Sequence, residues 1–80
     1  MRYRIVEVGT GRELYGPVAM PTNLKDARAM LKRIAAQDHR AEGARLNLLQ
    51  DTCRGFGEEY IRSRATIGPG GKVNMSHYVL

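Results

Sequence analysis

An α+β domain, an antiparallel sheet packed on one face by a single amphipathic helix, is the fold these 80 residues predict. Three observations point to it. Between Thr22 and Gln37, TNLKDARAMLKRIAAQ carries Leu24, Ala27, Met30, Leu31, Ile34 and Ala35 at helical spacing, which gathers them into one apolar sector. Ahead of that run, two stretches rich in β-branched and aromatic residues flank a Gly-Thr-Gly turn signal. Behind it, residues 57–80 alternate around Pro69-Gly70-Gly71 in the manner of a hairpin. A lone helix cannot hide its own apolar face, so the flanking strands must cover it. A chain this short makes one domain, residues 1–80.

The first hairpin pairs RYRIVEV with ELYGPVAM across Gly9-Thr10-Gly11. In its first arm Tyr3 and Ile5 lie on one side and Val6 and Val8 on the other. Such a strand is either buried on both faces or irregular. In the second arm Leu14, Val18 and Met20 share a face with Gly16, and that face is expected to meet the helix. Pro17 has no N–H to give a ladder, which places this arm at a sheet edge or makes it bulged.

The helix is predicted over Asn23 to Ala36. Pro21 precedes it, no Gly or Pro interrupts it, and the Asn23 side chain is placed to accept from the amide of Asp26. Asp38-His39-Arg40-Ala41-Glu42-Gly43 is a polar exit loop ending in Gly. ARLNLLQDT then has two readings. As a strand it puts Leu46 and Leu48 on one face; as a helix running to Gly55 it aligns Leu46, Leu49, Cys53 and Phe56. Asn47 and Thr52 are poor helix interiors and Gly55 and Gly57 follow closely, which favours the strand.

In the last third, a three-residue loop with Pro69 first and Gly71 in the left-handed region fixes the register of EEYIRSRATI against KVNMSHYVL. It pairs Ile67 with Val73, Ala65 with Met75, Ser63 with His77 and Ile61 with Val79. Strict alternation then places Tyr60, Arg62, Arg64 and Thr66 on the opposite face, beside Asn74, Ser76 and Tyr78.

Composition narrows the function classes. Domains of this size bury only about 60–65% of their unfolded surface, which leaves little room for an enclosed active site with supporting residues behind it. MRYRIVEV alternates charge with apolar residues where a signal peptide needs a continuous apolar stretch, so a soluble, cytoplasmic protein is expected. Cys53 is the single cysteine and has no intrachain partner for a disulfide. His39, His77 and Cys53 are isolated in sequence, so neither a metal site nor a nucleophilic constellation is predicted. Glu58 and Glu59 are neighbours that a strand would point to opposite faces, and GPGGK lacks the spacing of a phosphate loop. No catalytic residue, metal or cofactor is expected.

The formal net charge of +5 favours anionic partners. Two basic features stand out. Lys25, Arg28 and Lys32 form a stripe along one flank of the helix. Arg62 and Arg64 alternate with Tyr60 and face Tyr78 across the second hairpin, and Arg and Tyr are the residue types that dominate protein interfaces and that stack on bases. These seven residues are the candidate partner-binding set. They suit either a small docking protein that occupies an acidic face of a larger protein or ribonucleoprotein, or a basic nucleic-acid-binding domain.

A stand-alone chain of this length, with a hairpin, one helix and further strands, resembles the small inhibitors encoded by phages and mobile elements, and among them the anti-CRISPR proteins. The resemblance is one of size and outline and carries no motif, so no residue role transfers. It implies a non-enzymatic inhibitor that docks on a CRISPR-Cas surveillance complex or its nuclease and blocks target-DNA binding or cleavage. Many such inhibitors are acidic; this chain is basic and would need an acidic patch on its target or a steric mechanism.

Overall fold

The computed structural model describes residues 2–37, 41–51 and 59–78. In chain order they form β1 (Arg2–Glu7), β2 (Glu13–Tyr15), a 3-10 turn at Pro17–Ala19 and α1 (Leu24–Gln37). β3 (Arg45–Asp51), β4 (Glu59–Ile67), a second 3-10 turn at Pro69–Gly71 and β5 (Val73–His77) follow. The five strands make one antiparallel sheet in the order β2-β1-β3-β4-β5, and α1 packs against β3, β4 and β5. This is the α+β architecture the sequence predicts, and ARLNLLQDT supplies a strand.

The helix begins where its capping chemistry puts it. The amide of Asp26 donates to Asn23 Oδ1 at 2.8 Å, and Asn23 Nδ2 donates back to the Asp26 carboxylate at 2.8 Å. The acidic residue in the first turn also opposes the positive end of the helix dipole. Ala27, Leu31, Ile34 and Ala35 are buried on the sheet side, with Leu24 and Met30 half-buried beside them. They meet Tyr3 and Ile5 from β1, Leu46 and Leu48 from β3, and Ala65 and Ile67 from β4.

β1 sits inside the sheet, between β2 and β3, which resolves its untidy pattern. Tyr3 and Ile5 join the core under the helix, while Val6 is buried on the opposite side. The strand is irregular as well: its pairing with β2 shifts between Ile5 and Val6, so that Ile5 faces Tyr15 and Val6 faces Glu13. The extra residue lets consecutive Leu14 and Tyr15 both pack against the core.

The second arm ends earlier than expected. β2 is three residues long, and Pro17 opens a 3-10 turn instead of continuing a strand. Met20 is buried as anticipated, but Val18 stands on the outside of that turn, fully exposed. The expected shared face of Leu14, Val18 and Met20 is therefore wrong at Val18, because alternation lapses once the chain leaves the ladder.

The C-terminal hairpin follows the predicted register: Ile67 faces Val73, Ala65 faces Met75 and Ser63 faces His77. Gly70 and Gly71 both take positive φ, at 69° and 81°, a conformation that any Cβ would strain. Gly43 N–H donates to the Ile67 carbonyl at 2.7 Å and Ile67 N–H to that of Ala44 at 2.9 Å, which ties the loop before β3 to the end of β4. His39, Cys53, Phe56 and the expected Ile61–Val79 pairing involve positions outside the described residues. No helix among the described residues is long and apolar enough to cross a membrane.

Leu31 has no exposed surface, so Leu31→Ala is expected to cost about 2–5 kcal/mol, and Asn23→Ala about 1 kcal/mol, in urea unfolding. A loss under about 1 kcal/mol for Leu31→Ala would mean that this helix face does not bury against the sheet.

Candidate binding surface

The arrangement of the candidate side chains is decided by one residue of β4. Down to Ser63 the strand alternates as expected, with Leu46 opposite Ala65 and Leu48 opposite Ser63. Leu49 then faces Ile61, not Arg62, and Gln50 faces Tyr60. Arg62 is the extra residue of a bulge. An inserted residue inverts the alternation beyond it. Tyr60 consequently lies across from Gln50, on the side that carries Tyr3 and the helix. Ile61 takes the other side with Leu49, the face that no described element covers (the uncovered face).

The expectation that Tyr60, Arg62, Arg64 and Thr66 share one face is therefore corrected. Only Arg64 and Thr66 remain on it, opposite Ser76 and Asn74. Arg62 turns to the helix side, where its Nη1 donates to Gln50 Oε1. Its Nε is buried and meets no acceptor among the described residues.

Arg28 is likewise not part of a solvated stripe. It reaches from α1 to the bulge, with Nε donating to Ser63 Oγ at 2.9 Å and Nη2 to the Arg62 carbonyl at 3.3 Å. The same carbonyl accepts from Tyr78 N–H at 2.8 Å. Ser63 has no exposed surface, and its Oγ lies 2.7 Å from His77 Nδ1. Oγ accepts from the guanidinium and keeps both a proton and a second lone pair, so it can bond Nδ1 in either tautomer of the ring. Arg28, Ser63 and His77 thus join α1, β4 and β5 through a charge-assisted chain. A hydroxyl enclosed in this way is a brace, out of reach for attack on a substrate. The predicted Ser63–His77 pairing already held the clue, since two polar residues opposed on a core face demand a third partner.

The uncovered face has a different character. At its centre Leu49 is half-buried and Ile61 is 38% exposed. Arg64 flanks them, its Nε donating at 2.7 Å to Asn47 Oδ1, so that a neutral amide fixes the guanidinium and leaves its charge unopposed at that contact. Arg4 lies on the same face, 3.5 Å from Glu13. Tyr78 is 40% exposed just beyond β5, and Lys25 and Lys32 are exposed on the helix, away from this face. Of the seven candidates, the uncovered face keeps Arg64, with Tyr78 beside the bulge; sequence reasoning missed Ile61 and Leu49. Among the described residues no three His, Cys, Asp or Glu side chains are grouped to hold a metal ion.

Comparison with family models, with curated proteins and with solved structures found no match for this chain.

Ser63→Ala removes the buried hydroxyl that Arg28 and His77 share, leaving the Arg28 Nε without that acceptor, and is expected to lower stability by about 1–3 kcal/mol. Lys25→Ala and Lys32→Ala should stay within about 0.5 kcal/mol. Equal and negligible effects at all three positions in urea titrations would show that the brace carries no stability.

Proposed function

We propose that this protein is a non-enzymatic binding module that docks on an acidic surface of a larger protein or ribonucleoprotein through the uncovered face of its sheet. The observation that carries this reading is the Leu49–Ile61 pair, a partly exposed apolar centre on the sheet face that no described element covers, flanked by a guanidinium held in place by Asn47. Apolar anchors ringed by oriented polar groups are how protein interfaces concentrate their energy. Arg64 needs no reordering to meet a carboxylate, so less conformational entropy is lost on binding. The resemblance in size and outline to anti-CRISPR proteins makes a CRISPR-Cas surveillance complex the first partner to test. Inhibition would then come from occupying the surface that target DNA must reach.

Direct nucleic-acid binding differs in its salt response. Phosphate contacts weaken steeply with added salt, by a slope that counts them, whereas an interface with an apolar centre persists.

In a co-elution assay with a surveillance complex at moderate salt, Ile61→Asp and Arg64→Ala should each weaken capture by roughly tenfold or more, equivalent to about 1.4 kcal/mol. Their melting temperatures should remain within a few degrees of the parent. Capture that is unaltered in both variants would remove this face from the interface, and capture of bare DNA with a steep salt slope would replace the docking reading with the nucleic-acid one.

A further inference from the structure

β5 lies at one edge of the sheet and β2 at the other, and the two edges are finished differently. β2 has three residues, carries Glu13, and stops at Gly16-Pro17. Shortness, charge and Pro are the devices that keep sheet edges from pairing with other chains. β5, Val73-Asn74-Met75-Ser76-His77, has none of them: no Pro, no Lys, Arg, Asp or Glu, and no register shift against β4. In a chain of net charge +5, a five-residue edge without a charged gatekeeper is a conspicuous exception.

Which backbone groups this edge offers follows from the ladder. Gly68 N–H donates to the Lys72 carbonyl at 2.6 Å and Tyr78 N–H to the Arg62 carbonyl at 2.8 Å, so the even-numbered residues 72 to 78 direct their backbone groups at β4. By alternation Val73, Met75 and His77 direct theirs away from the sheet. Their side chains lie on the helix side, where Val73 and Met75 are only half covered by the core they pack against.

We propose that β5 pairs antiparallel with β5 of a second copy of this chain, about a two-fold axis at Met75, joining two sheets into one. This register uses every outward-directed group: Met75 exchanges both hydrogen bonds with its symmetry mate, and Val73 does so with His77 of the other copy. It also sets Asn74 opposite Ser76, an amide against a hydroxyl, so that no like charges meet although both copies are basic. The half-covered Met75 side chains meet each other at the axis, and Val73 meets the His77 ring of the other copy on either side of them, so the side chains on that face are uncharged apart from the imidazoles. An isologous contact of this kind closes after two copies. The uncovered faces of the two sheets then run on into one another, and Ile61 and Arg64 are presented twice. The pairing does not depend on what that face binds.

Sedimentation equilibrium over a concentration series tests it. The mass should rise from the 8.9 kDa of one chain toward twice that value. Asn74→Lys with Ser76→Lys faces lysines against lysines at the axis and should weaken dimerisation by tenfold or more, while Asn74→Lys with Ser76→Glu opposes unlike charges and should restore it. Thermal melts at low concentration establish that each variant folds. Amide exchange in the parent protein gives a second reading that needs no variant: the N–H groups of Val73, Met75 and His77 should be exchange-protected at high concentration and unprotected at low, while those of Asn74 and Ser76 stay protected in both. A parent that remains monomeric throughout, or a dimer that the paired lysines leave intact, would overturn the proposal, as would outward amides whose exchange ignores concentration.

Discussion

The extra residue at Arg62 is the constraint on which the rest of the arrangement depends. A β4 that alternated without interruption would send Arg62 to the open face and Ile61 beneath the sheet's covered side. The bulge reverses both assignments, and it is fixed from two directions. Its carbonyl accepts from the Tyr78 amide just beyond β5 and from the Arg28 guanidinium on α1. Helix, central strand and edge strand therefore converge on one peptide unit, and a shift of any of them would leave that carbonyl or its donors unsatisfied in a half-buried place. Unpaired polar groups in such places cost about 1–3 kcal/mol each, a sizeable fraction of what a domain this small has to spare.

The helix depends on the same junction. Asn23 and Asp26 start it independently of the sheet, and its apolar sector gives it a side to bury. Neither fixes how far along the strands it sits. Arg28 does so, because its guanidinium must reach Ser63 and the bulge together. Apolar packing supplies most of the attraction between helix and sheet, since it is nearly non-directional. The charge-assisted bonds select one placement among several that would bury similar area.

Much of this was legible in the sequence, and the parts that were not share a cause. The helix, its cap and the hairpin register through Ser63 and His77 all follow from local rules: periodicity, an Asn at the right offset, and a loop whose glycines determine the pairing. The strand reading of ARLNLLQDT rested on weak helix formers and held. What failed was alternation carried across a break in the ladder. Pro17 ends β2 and releases Val18 to solvent, and Arg62 interrupts β4 without a glycine or any other local signal. A bulge built from an ordinary residue is held by tertiary partners, here Arg28 and Tyr78, so its position lies in contacts between elements distant in the chain. The candidate site suffered most, because every side chain beyond a misplaced residue changes face.

That exchange of faces bears on what the surface is for. Burial alone would put Ile61 inward and leave the Arg62 guanidinium in water, since isoleucine is stabilised by leaving water and a guanidinium is destabilised by it. The fold does the reverse. It leaves Ile61 more than a third exposed and takes Arg62 into a position where its Nε has no acceptor among the described residues. Both choices oppose the local preference, and both follow from one inserted residue. The inserted residue thus sets an isoleucine beside Leu49 on the sheet face away from the helix, against both preferences. Conflicts of this kind between local preference and global fold concentrate where a protein has something to bind. An arginine-rich surface serves solubility as well as recognition, so charge on its own says little about purpose. An apolar pair, Ile61 more than a third exposed and Leu49 half-buried, on a face that no described element covers and next to an arginine anchored by a neutral amide, is the arrangement solubility does not explain.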